Sequence, residues 1–354
     1  MAGESGPRWR KRSARFDEIA ALAGVSTTTV DRVLNERGSV SAHARERVVA
    51  AARQLGVPRQ LPDTRHGLIH IDVLLPDTDT PFFKRLQQAL QRSLQMLDRR
   101  VVVHRTIVPA GDDDRVAALI ERPAYRRAAL LVTTRDTTRV RDALASAIAR
   151  GEHVVTMVTD IGDVARVHYA GIDNYRAGRT AGYYVGRLAQ RPGRVLLLGA
   201  RMDYRAHQER IAGCRDQLAQ AFAALACDGD AVETLDDDDR CYRAVAHALR
   251  AHADVVGIYN SGGGSAGVET ALRKFGATGR VVWVGHEMLD QHRRYIEAGA
   301  MDIAIDQDPD GQVIAALQHL LHACGVVEPP PPDDPVEFRV FCSANVRTSP
   351  YLLP

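Results

Sequence analysis

At 354 residues the chain exceeds the usual span of one domain, so a small unit and a larger one, each with its own core, are expected. Hydrophobic residues make up 45% and charged residues 25%, and there is no run of about eighteen uncharged apolar residues, which argues against a membrane-spanning chain. The net charge of +2 hides an asymmetry: residues 1–65 carry 12 Arg/Lys against 7 Asp/Glu, the rest 34 against 37, so a basic head precedes a slightly acidic body.

The N-terminus, MAGESGPRWRKRSAR, is charged but has no apolar segment behind it, so no secretory signal is expected and the protein should remain in the cytoplasm. Cys214, Cys227, Cys241, Cys324 and Cys342 are scattered without C-x-x-C spacing, which fits reduced thiols better than a disulfide frame or a zinc site. Residues 1–14 form a basic arm.

Residues 15–57 parse into three short helices. The first covers about 17–23, with Ile19, Ala20 and Ala23 inward, and Gly24 stands where a helix end needs positive φ. Ser26 caps the second, with Val30, Val33 and Leu34 inward and Thr27, Thr28, Asp31 and Arg32 outward. Ser41 caps the third, which turns Val48, Val49, Ala52 and Leu55 inward. A small residue at the crossing, Ala20, and a glycine in the turn are what a helix-turn-helix requires.

The run A-G-V-S-x-x-T-V-x-R-V-L-N over 23–35, continued by Val40, Ser41 and R-E-R-V at 45–48, resembles the helix-turn-helix of the lactose-repressor (LacI-type) family. In that family the second helix enters the major groove of DNA. The resemblance therefore implies Thr27, Thr28 and Arg32 as base readers, and Ser26, Thr29, Asn35, Ser39 and Ser41 as phosphate contacts. Arginine suits bidentate recognition of guanine, whereas threonine discriminates little, so the operator sequence is not readable from these residues.

The connector, 58–66, falls where the family has a hinge helix that wedges a leucine into the minor groove. Pro58 and Pro62 leave few residues for a helix, so Leu61 is either a wedge or part of a plain linker.

From residue 67 to 354, strand-like runs (LIHIDVLL, VVVHRTIV, AALLVTT, HVVTMV, VHYAGI, RVLLLG, DVVGIY, VVWVG, DIAI) alternate with amphipathic helical segments. That pattern predicts parallel sheets covered by helices, in two lobes at this length. The expected fold is thus a small all-α helix-turn-helix head plus an α/β, two-lobed, parallel-sheet effector domain. T-P-F-F at 80–83, G-I-D-N at 171–174 and I-D-Q-D-P at 305–309 make this part similar to ribose-type periplasmic binding proteins. The resemblance implies three crossings between lobes, near Asp173, Asp306 and the proline-rich run 329–335. It divides the chain into an N-lobe (67–172 and 307–328) and a C-lobe (173–306 and 336–350).

The same resemblance places Asp77, Phe82, Phe83, Asp160, Asn174, Tyr204, Gln208, Asn260, Glu287 and Gln307 around the cleft between the lobes. Aromatic faces with carboxylates and amides suit a sugar. Gln208 occupies the usual position of an arginine, and His286 with Glu287 that of a Phe-Asp pair, so an acceptor-rich pocket for a polyol, a pentose or a cationic ligand is expected.

A second class of function is signalled by Gly262-x-Gly264-x-x-Gly267, which follows a strand, opens a helix and precedes Glu287 by about twenty residues. Taken literally this is a dinucleotide fingerprint of a nicotinamide-dependent oxidoreductase; the resemblance reads it as a cleft wall near Asn260. His319 with His322 reads as one face of the last helix, not as a metal site. The run Asp236 to Asp239 reads as a solvated helix N-terminus. The expectation is a DNA-binding transcriptional regulator, not an enzyme and without cofactor, metal or catalytic residues. Its partners would be operator DNA, a sugar or polyol and a second copy of itself, with no membrane. A transporter's solute-binding protein is the other alternative.

Overall fold

The computed structural model describes residues 12–35, 40–57, 68–98, 100–227 and 229–351. Ser39, the connector with Leu61, and most of the basic arm lie outside them. The chain separates into two compact units, residues 1–68 and 69–354.

The first unit holds α1 (Arg12–Ala23), α2 (Thr27–Leu34) and α3 (Ala42–Gln54). Its core is Ile19, Ala20, Ala23, Val30, Val33, Leu34, Val48, Val49, Ala51 and Ala52, each buried. Two expectations need correction. The first helix starts at Arg12 rather than Asp17, since nothing in R-S-A-R-F interrupts it. Leu55 is 37% exposed, because it forms the cap of α3 where the chain turns away from the core.

The turn between α1 and α2 follows from Gly24. At φ +61° it lets Gly24 N–H reach Ala21 O (3.4 Å) and Val25 N–H reach Ala20 O (3.1 Å), the two bonds that close a helix through a left-handed residue. Arg47 of α3 donates to Gly24 O at 3.0 Å and braces the turn.

In the second unit β1 (Ile69–Asp77), α4 (Pro81–Leu94), β2 (Val101–Pro109), α5 (Asp113–Glu121), β3 (Ala129–Val132), α6 (Thr138–Ala149), β4 (His153–Met157) and β5 (His168–Ala170) build one lobe. The strands form an all-parallel sheet in the order β2-β1-β3-β4-β5. The other lobe begins with α7 (Asn174–Leu188), β6 (Gly193–Gly199), α8 (Arg205–Ala221), β7 (Leu225–Ala226), β8 (Val232–Glu233) and α9 (Asp238–Ala251). It continues with β9 (Val255–Asn260), α10 (Ser265–Lys274), β10 (Val282–His286), α11 (Asp290–Glu297) and β11 (Ile303–Asp306). Then α12 (Pro309–Ala323) returns to pack on α4, β3, β4 and β5, and β12 (Arg339–Phe341) closes the second sheet, β12-β11-β10-β9-β6-β7, with β8 beside β6. Only β12 is antiparallel among the described strands of that sheet.

All nine strands expected from the apolar runs are present. Each sheet is covered on both faces: α4 and α12 lie on one side of the first sheet and α5 and α6 on the other, while α7 and α8 face α9 and α10 across the second. Fully burying side chains such as Leu86, Leu90, Leu131 and Ile305 is worth roughly 1.5–3 kcal/mol each, which makes these sandwiches the main source of stability. The chain passes between lobes at Asp173, which caps α7, again at Gln307–Asp308 between β11 and α12, and finally between α12 and β12.

Candidate DNA-reading helix and interlobe cleft

In the first unit, α2 presents polar side chains over an apolar underside. Ser26 Oγ accepts Thr29 N–H at 3.2 Å and lies 2.9 Å from Thr29 Oγ1, which fixes the start of the helix. Thr27, Thr28 and Arg32 are exposed on its outer face, and Thr29 is half-buried. Asn35 ends α2, is exposed, and donates to Asp31 Oδ1 at 2.6 Å. Ser41 is exposed and caps α3 through Ala44 N–H at 3.3 Å. Arg47, which the sequence reading passed over, holds the turn that presents α2.

In the second unit, the carboxyl ends of the strands surround a cleft of about 510 Å³. Asp77, Phe82, Phe83, Tyr204, Glu287 and Gln307 line it, as do Thr133, Val158, Thr159, Arg201, His207, Arg210, Asp236, His286 and the loop 262–264. Phe82 and Phe83 meet edge to face at 5.3 Å between ring centres, in the first turn of α4, which Pro81 opens.

A continuous polar chain runs beneath the cleft, and of its members Arg210, Gln307 and Glu287 reach the lining. Tyr169 OH accepts from Asn174 Nδ2 (2.9 Å), Asn174 Oδ1 accepts from Arg210 Nε (2.8 Å), and Arg210 also donates to Ser261 O (2.9 Å) and to Gln307 Oε1. Gln307 Nε2 in turn donates to Glu287 Oε1. Arg210 reaches this place because α7 and α8 touch backbone to backbone: a Cβ on Gly178 would lie 2.0 Å from Arg210 O.

Four predicted residues sit elsewhere. Asp160 spends its carboxylate on Thr156 Oγ1 (2.9 Å), Ile161 N–H (2.8 Å) and Arg166, so it shapes its own loop, and Val158 and Thr159 reach the cleft instead. Asn174 is buried behind Arg210. Asn260 is buried and ties the glycine loop, donating to Gly263 O (2.8 Å) and accepting from Gly262 N–H (3.3 Å). Gln208 is exposed and donates to Met202 O at 2.8 Å; the arginine of this helix is Arg210, two positions on, which adds a cation to the acceptor-rich pocket expected from Gln208.

The acidic run is not simply solvated. Asp237 caps α9 through Arg240 N–H (2.7 Å), whereas Asp236 turns into the cleft wall and accepts Gly263 N–H at 2.6 Å. Asp238 Oδ1 accepts from Ala266 N–H (3.1 Å) and Gly267 N–H (3.4 Å). Carboxylates thus occupy the N–H groups a pyrophosphate would need, and a Cβ on Gly267 would lie 1.8 Å from Asp238 O. These glycines serve contact between α9 and α10. His319 stacks on His168 at 3.6 Å and bonds Pro332 O at 3.0 Å, and His322 bonds Val327 O at 3.0 Å, so both hold the third crossing. Among the described residues no group of three side chains is placed to hold a metal, and no helix is long and apolar enough to cross a membrane.

Burial sets the charge states. Glu287 is pushed up to about 8, by burial first and then by Asp306, against the opposing pull of Arg85. His207 falls to about 3 and His292 to about 4, both chiefly through burial, and His286 falls well below its ordinary value for the same reason. Burial also raises Asp236. Val158, Leu235, Asp236 and Glu287, all cleft residues, have φ of +70°, +54°, +61° and +72°. Left-handed backbone at non-glycine residues costs of order 1–3 kcal/mol each and gathers at binding sites.

The lobes are tied across the cleft. Arg85 of α4 bonds Asp306 at 2.6 Å and Glu287 at 3.4 Å; Arg135 reaches Asp203 at 3.0 Å; and Ala206 N–H donates to Thr159 Oγ1 at 3.2 Å.

Comparison with known proteins agrees with both halves. The family described as "Periplasmic binding protein domain" matches residues 71–325, and "Bacterial regulatory proteins, lacI family" matches 15–57. The chain is 34% identical over 94 residues to the sucrose operon repressor of Pediococcus pentosaceus, covering 25% of this chain and 28% of that one. It is 36% identical over 94 residues to the ribose operon repressor of Bacillus subtilis, with the same shares of 25% and 28%. The chain thus aligns with little more than a quarter of these relatives' length. A solute binding protein of an ABC transporter from Burkholderia graminis, solved with D-arabinose, has the same fold (TM-score 0.72, 22% identity, covering 81% of this chain and 99% of that one). The chain therefore belongs to the periplasmic binding protein domain family and carries a lacI-family helix-turn-helix at its head.

Proposed function

We propose that this protein is a transcriptional repressor whose hold on operator DNA is set by a small sugar or polyol bound between its lobes. The observation that carries the reading is the presence in one chain of a Ser26-capped helix with Thr27, Thr28 and Arg32 exposed and of a cleft of about 510 Å³ walled by Phe82, Phe83 and Tyr204. Relatives named as sucrose and ribose operon repressors support it.

Arg32 reads a guanine edge, Thr27 and Thr28 contact neighbouring bases, and Ser26, Thr29, Asn35, Ser39 and Ser41 take phosphates. One such head buries too little surface for tight binding at physiological salt, so the protein works as a homodimer reading a two-fold operator in the cytoplasm. No chemical step is involved: the ligand acts by favouring one arrangement of the lobes, a coupling of about 1–3 kcal/mol that runs equally in both directions. The head distinguishes this reading from that of a transporter's binding protein. Fluorescence anisotropy on a DNA fragment from the gene's own upstream region tests it: specific binding is expected, weakened by salt and altered by a cleft ligand, whereas binding no tighter than to unrelated DNA overturns it.

A further inference from the structure

The charges that the cleft leaves uncommitted are negative. Arg201 is gripped by Asp203, Nε to Oδ1 at 3.3 Å and Nη2 to Oδ2 at 2.8 Å. Arg135 shares Asp203 at 3.0 Å and takes Asp113 at 2.8 Å, so this rim group of two arginines and two aspartates is neutral. Arg85 is matched by Asp306 at 2.6 Å. His207, His286 and His292 are kept neutral by burial, and Glu287 keeps its proton until about pH 8. What remains in the wall is Arg210, with three of its N–H groups already donated, against Asp77, Asp236 and Asp238.

Asp77 ends β1 in one lobe and is exposed at the cleft, while Asp236 precedes α9 in the other and spends only Oδ1 on the protein, accepting Gly263 N–H at 2.6 Å. Each lobe thus offers the cleft one carboxylate.

An independent feature points to a ligand in the same place. His286 is 1% exposed and lines the cleft; its Nε2 lies 2.8 Å from Tyr259 OH, and its Nδ1 is buried without a partner. Tyr259 keeps its proton because burial raises it well above its ordinary value, and His286 is the partner its hydroxyl has. Donation from Tyr259 to Nε2 satisfies that hydroxyl and puts the imidazole proton on Nδ1, which leaves one buried donor to be met by an oxygen of a ligand.

We propose that the ligand of this cleft is a polyhydroxylated amine, an amino sugar or amino polyol, whose ammonium group lies between Asp77 and Asp236 while a hydroxyl accepts from His286. The proposal rests on reading the cleft as the effector site and adds the charge of the effector. A compact ammonium supplies three donors to carboxylates contributed by the two lobes, so its binding draws them together. A sugar phosphate or sugar acid would meet those carboxylates, with Arg210 already donating to Asn174, Ser261 and Gln307.

Isothermal titration calorimetry on the full chain at pH 7 tests this with matched probes: glucose, glucosamine and N-acetylglucosamine; galactose and galactosamine; sorbitol and N-methylglucamine; glucose 6-phosphate and gluconate. For at least one matched set the amine is expected to bind tenfold or more tighter than its neutral twin, and N-acetylation is expected to abolish the gain. Asp236→Asn keeps an oxygen for Gly263 N–H and should erase the preference for the amine over its neutral twin. Equal or tighter binding of the neutral twins, or of the phosphate or acid, overturns the amine proposal and leaves the effector site standing. Binding of none of these probes, in a protein that still binds its operator, removes both.

Discussion

Arg85 and Asp306 lie in different lobes, on α4 and at the end of β11, and meet at 2.6 Å with both side chains largely shielded from water. Glu287 stands 3.4 Å from the same guanidinium, and Asp306 Oδ2 also accepts Met288 N–H at 2.9 Å. Removing one member of such a pair leaves the other buried without compensation, at a cost of about 3–5 kcal/mol. Arg85→Met should therefore lower the melting temperature of the second unit and loosen the lobes, seen as a larger radius of gyration in small-angle X-ray scattering. Unchanged dimensions and stability would show that the pair contributes nothing to lobe closure.

Glu287 and the buried histidines give opposite pH dependences. The folded Glu287 holds its proton up to about 8, against an ordinary 4.5, so stability is full below about 4.5 and declines as pH rises through 8. His207 and His292, lowered to about 3 and 4 from 6.5, contribute fully above 6.5 and lose stability as pH falls through those values. Between pH 6.5 and 8 the Glu287 slope acts alone among these groups and amounts to at most about tenfold in the folding constant per pH unit. Denaturant titrations across this window should show that decline in the unaltered protein and its loss in Glu287→Gln; an identical slope in the variant refutes the assignment.

Gly24→Ala should damage the head locally. The φ of +61° strains an alanine, and its Cβ would sit 2.2 Å from Arg47 Nη2, displacing the guanidinium from Gly24 O. Together these cost roughly 1–2 kcal/mol. Hydrogen exchange at Val30 and Val33 should quicken, and operator binding should weaken, with cleft ligands bound as before. Unchanged exchange would mean that the turn tolerates a side chain.

Arg32→Ala is expected to weaken specific binding by about 1–3 kcal/mol and to relax preference at one base pair, since a bidentate contact to guanine is lost. Competition with single-base operator variants reads this out. Equal weakening on every sequence would make Arg32 a phosphate contact instead.

The reach of the sequence differs between elements. Ser26, Ser41 and Gly24 act through neighbours three to five residues away, so local spacing places them, and β1, β3, β4, β9, β10 and β11 are largely buried apolar runs that composition reveals. The two-residue edge strands β7 and β8 carry no such pattern, and β12 pairs antiparallel after a proline-rich crossing. Within the cleft, Asp77, Phe82, Phe83, Tyr204, Glu287 and Gln307 were legible from the order of landmarks. Arg210 was not, because the rotation of α8 that selects it over Gln208 depends on contact with Gly178 of α7. Asp236 looked like one more acid before a helix; its left-handed backbone, φ +61°, turns it inward. Asp160 was drawn away by Arg166, six residues on, a pairing that only the folded loop reveals.

The most direct test of the account is to measure operator affinity by fluorescence anisotropy at fixed salt, with and without a saturating ligand that calorimetry shows to bind the cleft. The account predicts that the ligand changes the DNA dissociation constant by about 5- to 150-fold. It further predicts that operator DNA changes the ligand's affinity by the same factor, and that Gln307→Ala, which breaks the link between Arg210 and Glu287, abolishes the coupling without abolishing DNA binding. A ligand that occupies the cleft and leaves operator affinity unchanged would contradict it.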